Sequence, residues 1–63
     1  MMDRLESFER MLADLQARLA DTQEKMQELK AQGREKSATY RQLMGDKMQI
    51  KAMLEMYRLY GLL

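Results

Sequence analysis

The chain has 63 residues, a net charge of +1 and neither cysteine nor histidine. Disulfides and thiolate metal sites are therefore excluded, as is catalysis that needs a cysteine nucleophile or a histidine base. The balance of 11 basic and 10 acidic residues gives no electrostatic argument for nucleic acid binding. A chain this short is marginally stable alone, so of the usual stabilising devices association remains.

The first predicted element is a helix over about residues 3–32. Strong helix formers dominate the composition and proline is absent. Asp3, followed three residues later by Glu6, is typical of a capping box at a helix start. Apolar residues then recur at alternating steps of three and four, which are the a and d positions of a coiled-coil heptad. These predicted seam residues are Leu5, Phe8, Leu12, Leu15, Leu19, Met26 and Leu29, with Thr22 in the same register.

A polar stretch, QGREK, interrupts the heptad and places Gly33 and Lys36 at two successive seam positions. Gly33 suits the residue just after a helix, which often needs a positive φ. We therefore predict a loop over about 33–35 and a second helix over about 36–60. The seam residues of that second helix are Tyr40, Leu43, Ile50, Leu54 and Tyr57, with Lys47 as a polar exception.

The ends of the second helix also carry signals. Ser37 is a candidate N-cap. Gly61 suits a second positive-φ position, with Leu62 folding back on Tyr57. The heptad runs through Gly45 unshifted, so we predict a continuous helix there rather than a break.

The two helices are predicted to form an antiparallel hairpin. In an antiparallel pair, the numbers of two residues in one layer have a constant sum, which is 69 for Leu29 with Tyr40 and for every other seam pair. The polar exceptions Thr22 and Lys47 fall in the same layer. The alternative is one continuous helix in a dimeric rod, which puts Gly33 in mid-helix at a cost of about 1 kcal/mol relative to alanine. We expect a single all-α unit over residues 1–63, an antiparallel two-helix coiled-coil hairpin that dimerises into a four-helix bundle.

One flank near the free ends of the hairpin is apolar outside the seam. Such patches mark interaction sites. We expect this flank to bind a second copy of the chain, as a homodimer or higher oligomer, or another helical protein. The eight methionines favour an adaptable surface. The predicted interface residues are Met11, Met53, Met56, Tyr60 and Leu63.

Charged residues beside the seam predict ion pairs between the helices. Glu9 should pair with Arg58 on one side, and Arg18 and Lys25 can both reach Asp46 on the other. Exposed pairs of this kind contribute about 0–1 kcal/mol each.

The sequence predicts a non-enzyme without cofactor or metal. Carboxylates at helical spacing, such as Glu6 with Glu9, alternate with lysine and arginine and indicate a solvated helix face rather than a divalent cation site. The favoured function is a small protein–protein interaction module, an adaptor or regulator. The N-terminal MMDRLESFER lacks the apolar core of a signal peptide and no apolar run reaches 18 residues, so we expect a cytoplasmic protein without a membrane span.

Two other functions stay open at this point. A helical RNA-binding regulator could use the basic loop and helix 2, with Tyr40 stacking on a base. A membrane-surface role for residues 46–63 is less favoured, because that segment is apolar around much of its circumference. The basic residues of the RNA interpretation are Arg34, Lys36, Arg41, Lys47 and Lys51.

Overall fold

The protein is a two-helix hairpin. The structure is a computed structural model that describes residues 3–63. Helix α1 spans Arg4–Ala31 and helix α2 spans Ala38–Leu59, and the two pack against each other without any strand in the described range. The long dimension is 44 Å, about the length of α1. The predicted all-α hairpin is confirmed, and a continuous rod is excluded.

Helix α1 is closed at both ends by local hydrogen bonds. Asp3 Oδ1 accepts a hydrogen bond from the Glu6 backbone N–H at 2.8 Å. At the other end Gly33 adopts φ +72°, and its N–H donates to the Lys30 carbonyl at 3.0 Å. The Arg34 N–H then donates to the Leu29 carbonyl at 2.8 Å. This pair of bonds is a Schellman motif, which satisfies carbonyls that the helix end leaves open.

Helix α2 begins at Ala38, two residues later than the sequence predicts. The reason is Ser37, whose extended backbone makes it the cap rather than part of the helix. Its Oγ accepts a hydrogen bond from the Tyr40 N–H at 3.1 Å, and its own N–H donates to the Arg34 carbonyl at 3.2 Å. The connection therefore runs from the α1 cap, Gln32, to Ser37 and is tied to both helices.

The C-terminal end of α2 repeats the device that ends α1. Gly61 adopts φ +73°, and the Leu62 N–H donates to the Tyr57 carbonyl at 2.9 Å, so the chain folds back as predicted. Between its ends α2 runs through Gly45 without a break.

The seam between the helices buries few side chains. Among residues 3–63, the buried apolar side chains are Leu15, Met26 and Ile50, each 6–7% exposed. Thr22 is buried beside them, and its layer partner Lys47 is half-buried. The remaining seam residues are half-buried, namely Phe8, Leu12, Leu19, Leu29, Tyr40, Leu43, Leu54 and Tyr57.

The seam starts at Phe8 rather than at Leu5. Phe8 packs edge-to-face on Tyr57, with ring centroids 5.1 Å apart. Leu5 is 64% exposed, because α2 ends at Leu59 and offers no helical surface at the level of Leu5. Leu5 therefore does not take the seam position that the sequence predicts for it.

Replacing Gly33 by alanine should destabilise the protein by about 1 kcal/mol, because a Cβ is strained at φ +72°. Gly45 is the matched control. It lies inside α2 and an added Cβ meets nothing within 4 Å, so Gly45→Ala should stabilise by about 0.5–1 kcal/mol. Urea unfolding followed by circular dichroism, at one protein concentration, measures both changes. Equal signs for the two substitutions would contradict this account of the turn.

Alanine substitutions at Leu15 and Leu5 should differ in their effect on stability. Leu15→Ala removes a buried side chain and should cost about 2–5 kcal/mol in the free energy of unfolding. Leu5→Ala removes the same atoms from an exposed position and should change stability by less than about 0.5 kcal/mol. Urea midpoints at matched concentration test the difference. A similar loss for both variants would mean that the seam extends to Leu5.

Candidate interaction surface

An open apolar cleft runs between the helices on one side of the free-end half of the hairpin. Its volume is about 530 Å³. Leu15 and Tyr57 of the seam lie at its floor, so the cleft is continuous with the hydrophobic core. The other lining residues are Met11, Asp14, Arg18, Met53, Met56, Tyr60 and Leu62.

Four of the five predicted interface residues meet in this cleft. Met53, Met56 and Tyr60 are spaced by three and four residues, which aligns them along one stripe of α2. Met11 faces them from α1. Each of the four is exposed, from 44% at Met53 to 74% at Tyr60. The hairpin thus exposes a row of large apolar side chains beside its own seam.

Leu63, the fifth predicted residue, lies elsewhere. It lines a different hollow with Leu19, Leu54 and Arg58. The heptad count placed Leu63 beside Met56, but the positive φ of Gly61 ends the helical register before that position. Leu62 takes the place in the cleft instead, because its N–H is tied back to Tyr57. The Schellman signal at Gly61 predicts that Leu62 folds back onto α2, whereas the heptad periodicity does not.

The loop-end half of the same flank is polar. A hollow there is lined by the side chains of Arg18, Asp21, Asp46 and Gln49 above the buried Thr22 and Ile50. Lys25 Nζ lies 3.0 Å from Asp21 Oδ2, one turn away on α1. The flank therefore changes from apolar to charged along the length of the hairpin.

The ion pairs differ from the predicted ones. Lys25 pairs with Asp21 rather than with Asp46, and Asp46 accepts a hydrogen bond from Gln42 Nε2 at 3.3 Å. Each of these contacts joins neighbours on one helix, since residues three or four apart already share a face and need no tertiary alignment.

Arg58 likewise bonds within α2 rather than with Glu9. Its guanidinium donates to both carboxylate oxygens of Glu55, with Nε 2.9 Å from Oε2. The hydrogen bond to Arg58 lowers the pKa of the Glu55 carboxyl, and the same contact raises the pKa of Arg58. Both groups are exposed, and neither of them lines the cleft.

The basic residues of the RNA interpretation do not all line one hollow. Lys47 and Tyr40 line an open hollow of about 520 Å³ together with Lys30, but Glu24 shares it. Arg34, Lys36 and Arg41 are exposed and lie outside that hollow. A carboxylate beside the two lysines weakens the potential that a phosphate backbone would need.

The hairpin exposes more surface than a compact protein of its mass. Its accessible surface is 5,322 Å². A typical folded monomer of 7.5 kDa exposes about 4,200 Å², so the excess is about 1,100 Å². Within residues 3–63 no side chain is completely buried. The exposed apolar cleft is the part of this surface with the clearest hydrophobic character.

No cluster of three or more histidine, cysteine or carboxylate side chains capable of holding a metal ion occurs within 3–63. Neither α1 nor α2 combines the length and apolarity needed to cross a bilayer. The sequence matches no protein-family model, and no curated protein or solved structure shows significant similarity to it.

Proposed function

We propose that this chain is a small non-catalytic interaction module that self-associates through the apolar cleft, two hairpins forming a four-helix bundle. The observation that carries the proposal is the row of exposed Met11, Met53, Met56 and Tyr60 beside a seam that buries three apolar side chains. Such a patch on so small a core is typical of an interface.

The area left exposed matches what a stable dimer needs. A standard protein–protein interface buries about 800 Å² on each partner. The excess exposure of this hairpin, about 1,100 Å² over a compact monomer, is of that size. An interface of standard size centred on the cleft would bring the chain close to the burial of an ordinary folded domain.

A second copy of the chain is the occupant that we favour. Every copy of the chain has the same exposed apolar surface. An isologous contact, in which both copies use the same patch, buries that surface on both copies at once. The net charge of +1 means that two copies repel each other little. Methionine side chains adapt to one another without a fixed rotamer, which suits a self-complementary surface.

The bundle would present its charged outer faces to other molecules, as an adaptor or regulator. The absence of histidine and cysteine from the sequence supports a non-catalytic role. The exposed ion pair between Arg58 and Glu55 lies on these outer faces. Exposed pairs of this kind keep a surface soluble and are not typical of a reactive site.

Introducing charge into the cleft should abolish association. In Met53→Glu with Tyr60→Glu, two carboxylates on each copy would be buried against apolar side chains, so sedimentation equilibrium should give the monomer mass. The matched control is Met48→Glu with Leu59→Glu, which replaces two side chains of similar exposure, 67% and 64%, that do not line the cleft. The control should keep the mass of the wild-type dimer.

Three outcomes would contradict the proposal. The wild-type chain could be a stable folded monomer at high concentration. The cleft variant could keep the dimer mass, or the outer control could lose it equally. A folded monomer that binds RNA with a steep salt dependence would support the nucleic acid function in its place.

A further inference from the structure

We propose that the two hairpins associate antiparallel and overlap only in their free-end halves, with their loops pointing to opposite ends of the assembly. This inference rests on the proposed self-association and specifies its geometry. Its basis is the change of character along the flank that contains the cleft.

The apolar half of that flank is stabilised by burial, whereas the charged half is stabilised by contact with water. If the hairpins were parallel, with both loops at one end, the hollow lined by Arg18, Asp21, Asp46 and Gln49 would face its own copy. Burying those charged groups carries a desolvation penalty that their mutual attraction does not reliably offset. An antiparallel overlap limited to the free ends covers the cleft, with Asp14 and Arg18 at its α1 edge, and leaves Asp21, Asp46 and Gln49 in water.

A two-fold axis at the level between Met56 and Tyr57 makes the α2 stripe self-complementary. Such an axis pairs positions at equal distances on either side of it. Met53 then lies opposite Tyr60 of the second copy, and Met56 lies beside its own copy. Contacts between a methionine sulfur and an aromatic ring are favourable, so this register repeats one good contact twice.

The same axis brings opposite charges together on α1. The seam pairing that sums to 69 places this axis level between Leu12 and Ala13 of α1. Arg4 and Asp21 are equally distant from that level and both belong to the stripes that flank the cleft. Arg4 of each copy therefore lies at the level of the Asp21 carboxylate of the other. Charge complementarity at the edges of the overlap favours this register.

Distances between nitroxide labels on the dimer test the arrangement. The chain contains no cysteine, so Arg34→Cys gives one label in each loop. In the antiparallel assembly the two loop labels should lie about 65 Å apart, from about 21 residues of helix on each side of the axis. In a parallel assembly they should lie within about 30 Å, the width of a four-helix bundle with its labels.

A second label position distinguishes a dimer of the wrong orientation from the absence of any dimer. Ala17→Cys lies on the outer face of α1, only about 7 Å along the helix from the axis level, and should give an intermolecular distance near 30 Å in both arrangements. A short distance at both positions would overturn the antiparallel arrangement and leave the proposed function standing. No intermolecular distance at either position, together with a monomer mass, would overturn both.

Discussion

Two helices packed side by side can bury one stripe of each, and this limit governs the molecule. A long side chain at a seam position is covered by the facing helix on one side and by solvent on the other. Within residues 3–63, the buried apolar side chains are Leu15, Met26 and Ile50, each still 6–7% exposed. The apolar residues beside the seam, Met53 and Tyr60 among them, have no helix to cover them within the chain.

Local hydrogen bonds decide where that uncovered surface lies. The positive φ of Gly33 and the cap at Ser37 turn the chain back within a few residues, which aligns the free ends. The second glycine turn, at Gly61, folds Leu62 onto the same flank as Met53. Backbone conformation at two glycines thus concentrates the apolar side chains in the free-end half and leaves the loop-end half charged.

Much of this could be predicted from the sequence, because helix formers, heptad spacing and glycine turns are local signals. The seam residues from Phe8 to Tyr57 follow the heptad, and both glycine C′ positions were recognisable. The heptad pattern gave wrong predictions where it was extended beyond the end of a helix. Leu5 lies beyond the reach of α2, and Leu63 lies beyond the register that Gly61 ends.

The ion pairs show a different limit of sequence reasoning. A heptad diagram shows that Arg58 can reach Glu9 across the seam, but it does not rank that contact against Glu55 on the same helix. The intrahelical contact needs no tertiary alignment and so forms in preference. The identity of any further partner is not encoded in such contacts, since exposed pairs contribute little specificity.

The central claim is that folding of the hairpin is completed by a second copy. The most direct test is the thermal unfolding midpoint of the wild-type chain, measured by circular dichroism over about a 100-fold range of protein concentration. Mass action requires the midpoint to rise with concentration if the folded state is a dimer. A midpoint that is independent of concentration, with full helicity at the lowest concentration, would contradict the claim.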